Sequence, residues 1–128
     1  MRAKTFVIPM VFVAAAGLTA AAGSVAVGRV APAPTTVTIK AEGTDLSGTV
    51  SSPKPVRCAD GRTVLLIKQI GTRGGGDDIR FGMDTAGLQG DVYTWSTGTT
   101  GTAGRFYARV KPIEGCKGDT SPTVRAQR

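Results

Sequence analysis

The chain contains no histidine. That removes the one side chain whose ordinary charge change falls between about pH 5 and 8, and with it the usual general base. A Ser-His-Asp relay therefore has no members here. Cysteine is almost as scarce, with only Cys58 and Cys116. Two thiols without an imidazole fall short of an ordinary four-ligand zinc site, so no metal centre and no cofactor are expected. Aromatic residues make up only 5% of the chain. Beyond residue 26 they are Phe81, Tyr93, Trp95, Phe106 and Tyr107. A core there must be mainly Val, Ile, Leu and Ala around Trp95. No stretch carries the 3.6-residue period of an amphipathic helix. Outside the N-terminal region no apolar run approaches the roughly 20 residues that a membrane span needs.

What is present begins with a charged start, Met1-Arg-Ala-Lys4, followed by an uncharged apolar run from Phe6 to about Ala22. Ala20-Ala21-Ala22 and Ser24-Val25-Ala26 then offer small residues for cleavage. This is the pattern of a secretory signal peptide over residues 1–26. A retained anchor is the competing reading, because Thr5 to Gly28 is uncharged throughout. The run is rich in Ala and Gly, however, holds Pro9 and Thr19, and has a short apolar centre from Phe6 to Leu18, which favours cleavage. Residues 27–35 hold two prolines and read as an extended leader. The folded domain is expected over residues 36–128, outside the cell.

The charge balance is positive, with 16 Lys and Arg against 9 Asp and Glu. Loss of residues 1–26 would take away only Arg2 and Lys4. The remaining basic residues are spread along the chain. They read first as a solvated surface, and second as a means of salt-sensitive adhesion to an acidic polymer such as a cell-wall polyanion. No nucleic-acid partner is expected, nor any membrane association after cleavage.

From Thr36 onward, strand signals arrive at short intervals. Thr36–Glu42 alternates Val37, Ile39 and Ala41 with polar residues, and Asp45–Ser51 alternates Leu46, Gly48 and Val50 with Ser47, Thr49 and Ser51. Residues 52–62 read as a loop, since Pro53, Pro55 and Asp60-Gly61 do not suit a central strand. Thr63–Ile70 is the most apolar stretch of the domain and reads as a buried strand. Gly71–Asp78 is a glycine-rich connector, and Ile79–Met83 a short strand. Turn signals run from Asp84 to Gly90, and Asp91–Ser96 is a strand with Tyr93 and Trp95 on one face. Gly104–Lys111 alternates Phe106, Ala108 and Val110 with Tyr107, Arg109 and Lys111. Gly115–Pro122 reads as a loop, and Thr123–Ala126 as a last strand. Seven strands with frequent turns predict an all-β, seven-stranded antiparallel sandwich of immunoglobulin-like or transthyretin-like type.

Two cysteines in an exported chain usually form one disulfide. If every connection reverses direction, the third strand, from Thr63, and the sixth, to Val110, run antiparallel. Cys58 before the one and Cys116 after the other then lie at the same end of the sandwich.

The order of Leu46-Ser-Gly48-Thr-Val50, Gly61-Arg-Thr-Val64-Leu-Leu66, Asp84-Thr with Gly90 before Trp95, and Gly104-Arg-Phe-Tyr107-Ala-Arg-Val110 resembles the transthyretin-like, or carboxypeptidase regulatory-like, sandwich. Those modules carry I-x-G-x-V, A-x-V-x-L, T-D-x-x-G-x-Y and P-G-x-Y-x-V-x-V motifs. The ending Gly115-Cys-Lys-Gly-Asp-Thr-Ser-Pro-Thr123 is similar to that of small secreted actinobacterial proteins. The resemblance covers Val37 to Ala126. It departs from the family at the insertion Thr72–Asp78 and in a longer Asp84–Trp95 segment. It implies a non-catalytic accessory role.

The remaining candidates are few. Gly71-Thr-Arg-Gly-Gly-Gly76 lacks the Gly-Lys-Ser/Thr ending of a phosphate loop and reads as a mobile connector. Asp77, Asp78 and Asp84 could ligate calcium but fit no EF-hand spacing, and read as solvated turn acids. Tyr93 and Trp95 read as core in preference to a sugar platform. Tyr107, Arg109 and Lys111 would line the outer face of the sixth strand, as a binding patch or a polar sheet face. The expected function is that of a secreted, non-enzymatic structural or binding accessory domain. Its alternative is a carbohydrate or acidic cell-wall-polymer module, and its partner a wall polymer or another extracellular protein.

Overall fold

The alternating stretches pair as strands in the computed structural model, which describes residues 30–128. In chain order the elements are β1 (Thr36–Val37), β2 (Lys40–Glu42), β3 (Asp45–Ser51), α1 (Pro55–Cys58), β4 (Thr63–Gln69), β5 (Ile79–Thr85), β6 (Gly87–Gln89), β7 (Val92–Thr99), β8 (Gly104–Val110), β9 (Asp119–Thr120) and β10 (Val124–Ala126). They form two antiparallel sheets. One runs β1-β3-β7-β6, with β2 also on β3; the other runs β10-β8-β4-β5, with β9 also on β8. The all-β class, the antiparallel sandwich and the single disulfide are as the sequence predicts. Residues 1–26, read as a signal peptide, and the first residues of the leader lie outside the described residues. Among the described residues no helix is long and apolar enough to cross a membrane.

The period-two pattern explains what faces inward. Leu46 and Val50 from β3, Trp95 from β7, Val64 and Leu66 from β4, and Phe106, Ala108 and Val110 from β8 meet in one buried cluster. Phe81 stands edge-on to Phe106, with ring centroids 5.2 Å apart. Each large apolar side chain removed from water in this way contributes about 1.5–3 kcal/mol.

The strands number ten where seven were expected, and the differences have local causes. The first expected strand divides into β1 and β2 at Thr38-Ile39. There the Thr38 carbonyl accepts the indole N–H of Trp95 at 3.0 Å. That approach is open only because residue 48 has no side chain. A Cβ on Gly48 would lie 1.9 Å from the Thr38 oxygen and 2.7 Å from Trp95 Nε1. Residues 87–89, read as turn, pair with β7 as the chain passes from one sheet to the other. Asp119–Thr120, read as loop, pairs with the end of β8. Pro55–Cys58 is a single helical turn rather than extended loop, with proline in its first turn, where the missing N–H is of no consequence.

The two sheets are joined along both sides by aspartates. Asp119 Oδ2 accepts the Val37 N–H at 2.8 Å on one side, and Asp84 Oδ2 accepts the Ser96 N–H at 2.7 Å on the other. At one end, β4 and β8 pair antiparallel, Leu65 opposite Arg109. This brings Cys58 and Cys116 to the same end, as strand parity requires. They are disulfide-bonded, with Cα atoms 5.6 Å apart. The later part of the expected leader is strapped across that bridge. Ala33 N–H donates to the Gly115 carbonyl at 3.0 Å, and Lys117 N–H to the Ala33 carbonyl at 2.8 Å. Thr35 is buried beside them.

Candidate functional site

β4 is buried on both faces: Val64 and Leu66 toward the core, and Leu65 and Ile67 on the other side. Part of the outer side of its sheet is therefore covered, and over Tyr107 the cover is the glycine-rich segment that the sequence suggests is a free connector. Leu65 and Ile67 cluster with Tyr107, which is only 7% exposed. Arg73 lies over the Tyr107 ring, its Cζ 4.3 Å from the centroid. It also donates from Nη1 to Thr123 Oγ1 at 2.9 Å and from Nη2 to the Ser121 carbonyl. The Tyr107 hydroxyl donates to Asp78 Oδ2 at 2.5 Å. The Asp78 carboxylate also accepts the backbone N–H of Gly74 at 2.9 Å and of Ile70 at 3.4 Å.

This arrangement perturbs both acids. The hydrogen bond from Tyr107, then that from Gly74, holds the Asp78 carboxyl below the usual range against a smaller opposing effect of desolvation. Burial, then the Asp78 carboxylate, pushes the Tyr107 phenol up.

Of the residues expected to form a binding patch, Tyr107 is thus enclosed, not exposed, whereas Arg109 and Lys111 are exposed as expected. The cause of the Tyr107 correction is non-local: Arg73 and Asp78 reach back over it from the connector. The structure adds neighbours that sequence reasoning missed. β8 places Arg105 on the same outer side as Arg109, opposite Gln69 of β4 and Arg125 of β10. β5 places Arg80 opposite Ile67. Arg105 Nη2 donates to the carbonyls of Ile70 and Gly71, fixing one end of the connector. The outer side of this sheet thus carries Arg80, Arg105, Arg109, Lys111 and Arg125. The other sheet presents Ser47, Thr49 and Ser51 on the corresponding side of β3, with Thr94 opposite Thr49. Strand alternation was the signal for Arg105 and Arg125. The doubly apolar β4 was the signal that something covers its outer side.

At the disulfide end, Arg62 is 4% exposed. Its Nη1 donates to the Cys58 carbonyl at 2.7 Å and to Thr35 Oγ1 at 3.2 Å. Its Nη2 donates to the carbonyls of Lys111 at 2.7 Å and Lys117 at 2.8 Å. Burial lowers its pKa, but a guanidinium keeps its proton in proteins. Its charge is met by carbonyl dipoles from the segments on both sides of the disulfide. Beside it a cleft of about 460 Å³ opens on the outer side of β4 and β5, with Leu65, Met83 and Ile113 among its apolar walls and Arg80 and Lys111 among its polar ones.

Asp78 and Asp84, weighed as calcium ligands, are taken by Tyr107 and by the Ser96 N–H. Among the described residues no three His, Cys, Asp or Glu side chains gather as metal ligands. Tyr93 packs against the core, and Trp95 is buried in it. No family model and no curated protein matches this chain.

Proposed function

We propose that this protein is an extracellular, non-enzymatic binding module whose β10-β8-β4-β5 face adheres to an acidic polymer. The observation that carries the reading is the gathering of Arg80, Arg105, Arg109, Lys111 and Arg125 on one side of one sheet. Among the described residues the one ion pair is Lys40–Glu42, on the other sheet. The basic side chains of this face therefore have no carboxylate within salt-bridge distance. An array of uncompensated cations on a rigid sheet attracts polyanions and raises their local concentration. The bridged cysteines support an oxidising surrounding, where disulfides persist. The two-sheet antiparallel sandwich supplies the rigid face that this accessory reading requires.

Retention of the full chain on purified cell wall and on an immobilised polyanion tests this. Binding is expected at low salt and lost near 1 M salt, where the screening length falls to about 3 Å. Arg105→Gln, Arg109→Gln and Arg125→Gln together should abolish retention while leaving the circular dichroism spectrum unchanged. No retention at low salt, or full retention by the triple variant, overturns the proposal.

A further inference from the structure

The cleft at the disulfide end combines features that the rest of the basic face lacks. Its walls include Leu65, Met83 and Ile113. Met83 and Ile113 are 51% and 48% exposed, so apolar surface there remains in contact with water. Arg80 and Lys111 line the same space. Among the described residues the one hydrogen-bond partner of the Arg80 guanidinium is Met83 Sδ, at 3.4 Å from Nη2. A thioether is a weak acceptor and leaves a guanidinium's donors largely unused. No acidic side chain lies within salt-bridge distance of Arg80 or Lys111 among the described residues.

The wall opposite the sheet is held in place. The Lys111 carbonyl accepts from buried Arg62. Ile113 and Cys116 exchange both backbone hydrogen bonds, at 3.1 and 3.0 Å, and Cys116 is covalently tied to Cys58. A cavity of this size is within the range that encloses small ligands, about 300–1,000 Å³. Walls fixed beforehand reduce the ordering cost of binding. Asp60 also lines the cleft. Arg62 also lines the cleft but is committed to carbonyl oxygens, so Arg80 and Lys111 face one carboxylate, a balance that suits a single anionic group.

We propose that this cleft binds an apolar group ending in a carboxylate, the apolar part lying against Leu65, Met83 and Ile113 and the carboxylate between Arg80 and Lys111. The inference deepens the reading of the face as an acidic-polymer surface, and rests on it for the setting in which such a group arrives. The chemistry is shared by two sources, a free aliphatic acid and the C-terminus of a peptide with an apolar last residue.

Methyl-resolved NMR titration of the full chain with octanoate and with N-acetyl-leucyl-leucine separates them. One or both acids should shift the methyl signals of Leu65, Met83 and Ile113, with a Kd on the order of 1 mM or tighter for ligands of this size. A response to octanoate alone assigns the free acid, and a response to the dipeptide alone assigns the peptide end. The matching amides should bind at least tenfold more weakly. Arg80→Gln with Lys111→Gln should weaken the acids at least tenfold while retaining the fold, read from the amide spectrum. Ile113→Glu should block both acids while leaving the cations in place. Silence of those methyls toward both acids, equal binding of acids and amides, or unchanged affinity in the Arg80/Lys111 variant overturns the proposal. The failure of the polymer reading is distinct. The Arg105/Arg109/Arg125 variant tests polyanion retention and leaves the cleft intact.

Discussion

Arg62 is a buried cation whose compensation comes from carbonyl oxygens rather than a carboxylate. Removing it would leave those carbonyls without their partner in a site with little access to water, at roughly 1–3 kcal/mol each at most before relaxation. Arg62→Ala is therefore expected to lower unfolding stability by on the order of 3 kcal/mol in urea titration. Arg62→Lys should recover little of that, because an ammonium lacks the planar fork that reaches acceptors on both sides. A variant within 0.5 kcal/mol of the parent, the usual range for surface substitutions, would refute this account. Gly48 is the second decisive residue. Its missing side chain is the opening through which Trp95 reaches the Thr38 carbonyl. A methyl 1.9 Å from that oxygen must push the Thr38 backbone or the indole aside. Gly48→Ala is expected to cost about 2 kcal/mol or more, as overpacking does, and to change the Trp95 fluorescence spectrum. Neither role was legible in the sequence. Arg62 looks like any charged residue beside a turn. Gly48 sits in a normal alternation, and the atoms it makes way for come from residues 38 and 95. The inward placement of Phe106, by contrast, follows from strand parity and that of Trp95 from the scarcity of other large rings, and the structure has both so.

At the level of elements, the glycine-rich segment between β4 and β5 behaves as a latch on the sheet. Its composition suggests freedom, and its glycines do supply turns: Gly74 and Gly76 have positive φ. What fixes the segment is Arg73 and Asp78, whose partners Tyr107, Ser121 and Thr123 are remote in sequence. That remoteness is why local pattern misjudged it. The latch has a defined pH window. Asp78 is held below its ordinary value, about 3.9, so its contribution is full above that value and is lost as pH falls through the lower native one. Tyr107 is raised above its ordinary value, about 10, so its contribution is full below that and is lost as pH rises through the higher native one. Asp78→Asn removes the carboxylate that opposes phenol ionisation. It should bring the Tyr107 titration, read by ultraviolet phenolate absorbance, down toward the ordinary value. It should also speed amide exchange in residues 71–78. An unmoved tyrosine titration would show that the hydroxyl contact contributes nothing. The strands themselves were legible wherever a full alternation exists, as in β3 and β8. Short pairings such as β6 and β9 were not, because two or three residues carry no period.

For the molecule as a whole, the disulfide encloses β4 through β8 in one covalent ring, with β1 to β3 before it and β9 and β10 after it. A separation of 58 residues corresponds to about 4 kcal/mol of loop-closure entropy in the denatured chain. Total stability for a domain of this kind is about 5–15 kcal/mol. Reduction, or Cys58→Ser with Cys116→Ser, is expected to lower the melting temperature by on the order of 20 °C, and to loosen the Arg62 cradle and the Ala33 strap at the same end. A shift of only a few degrees would mean that those hydrogen bonds hold the end without the bridge. The ring has a further consequence, for damage by proteases. Any single backbone cut between Cys58 and Cys116, through the exposed Gly74–Gly76 turn for example, leaves both pieces covalently joined. A nicked molecule of this kind runs at full size until a reductant is added. A cut outside the ring, after Lys54 or Arg125, has no such covalent hold. Exposed loops inside the ring can therefore be cleaved without the molecule losing either half.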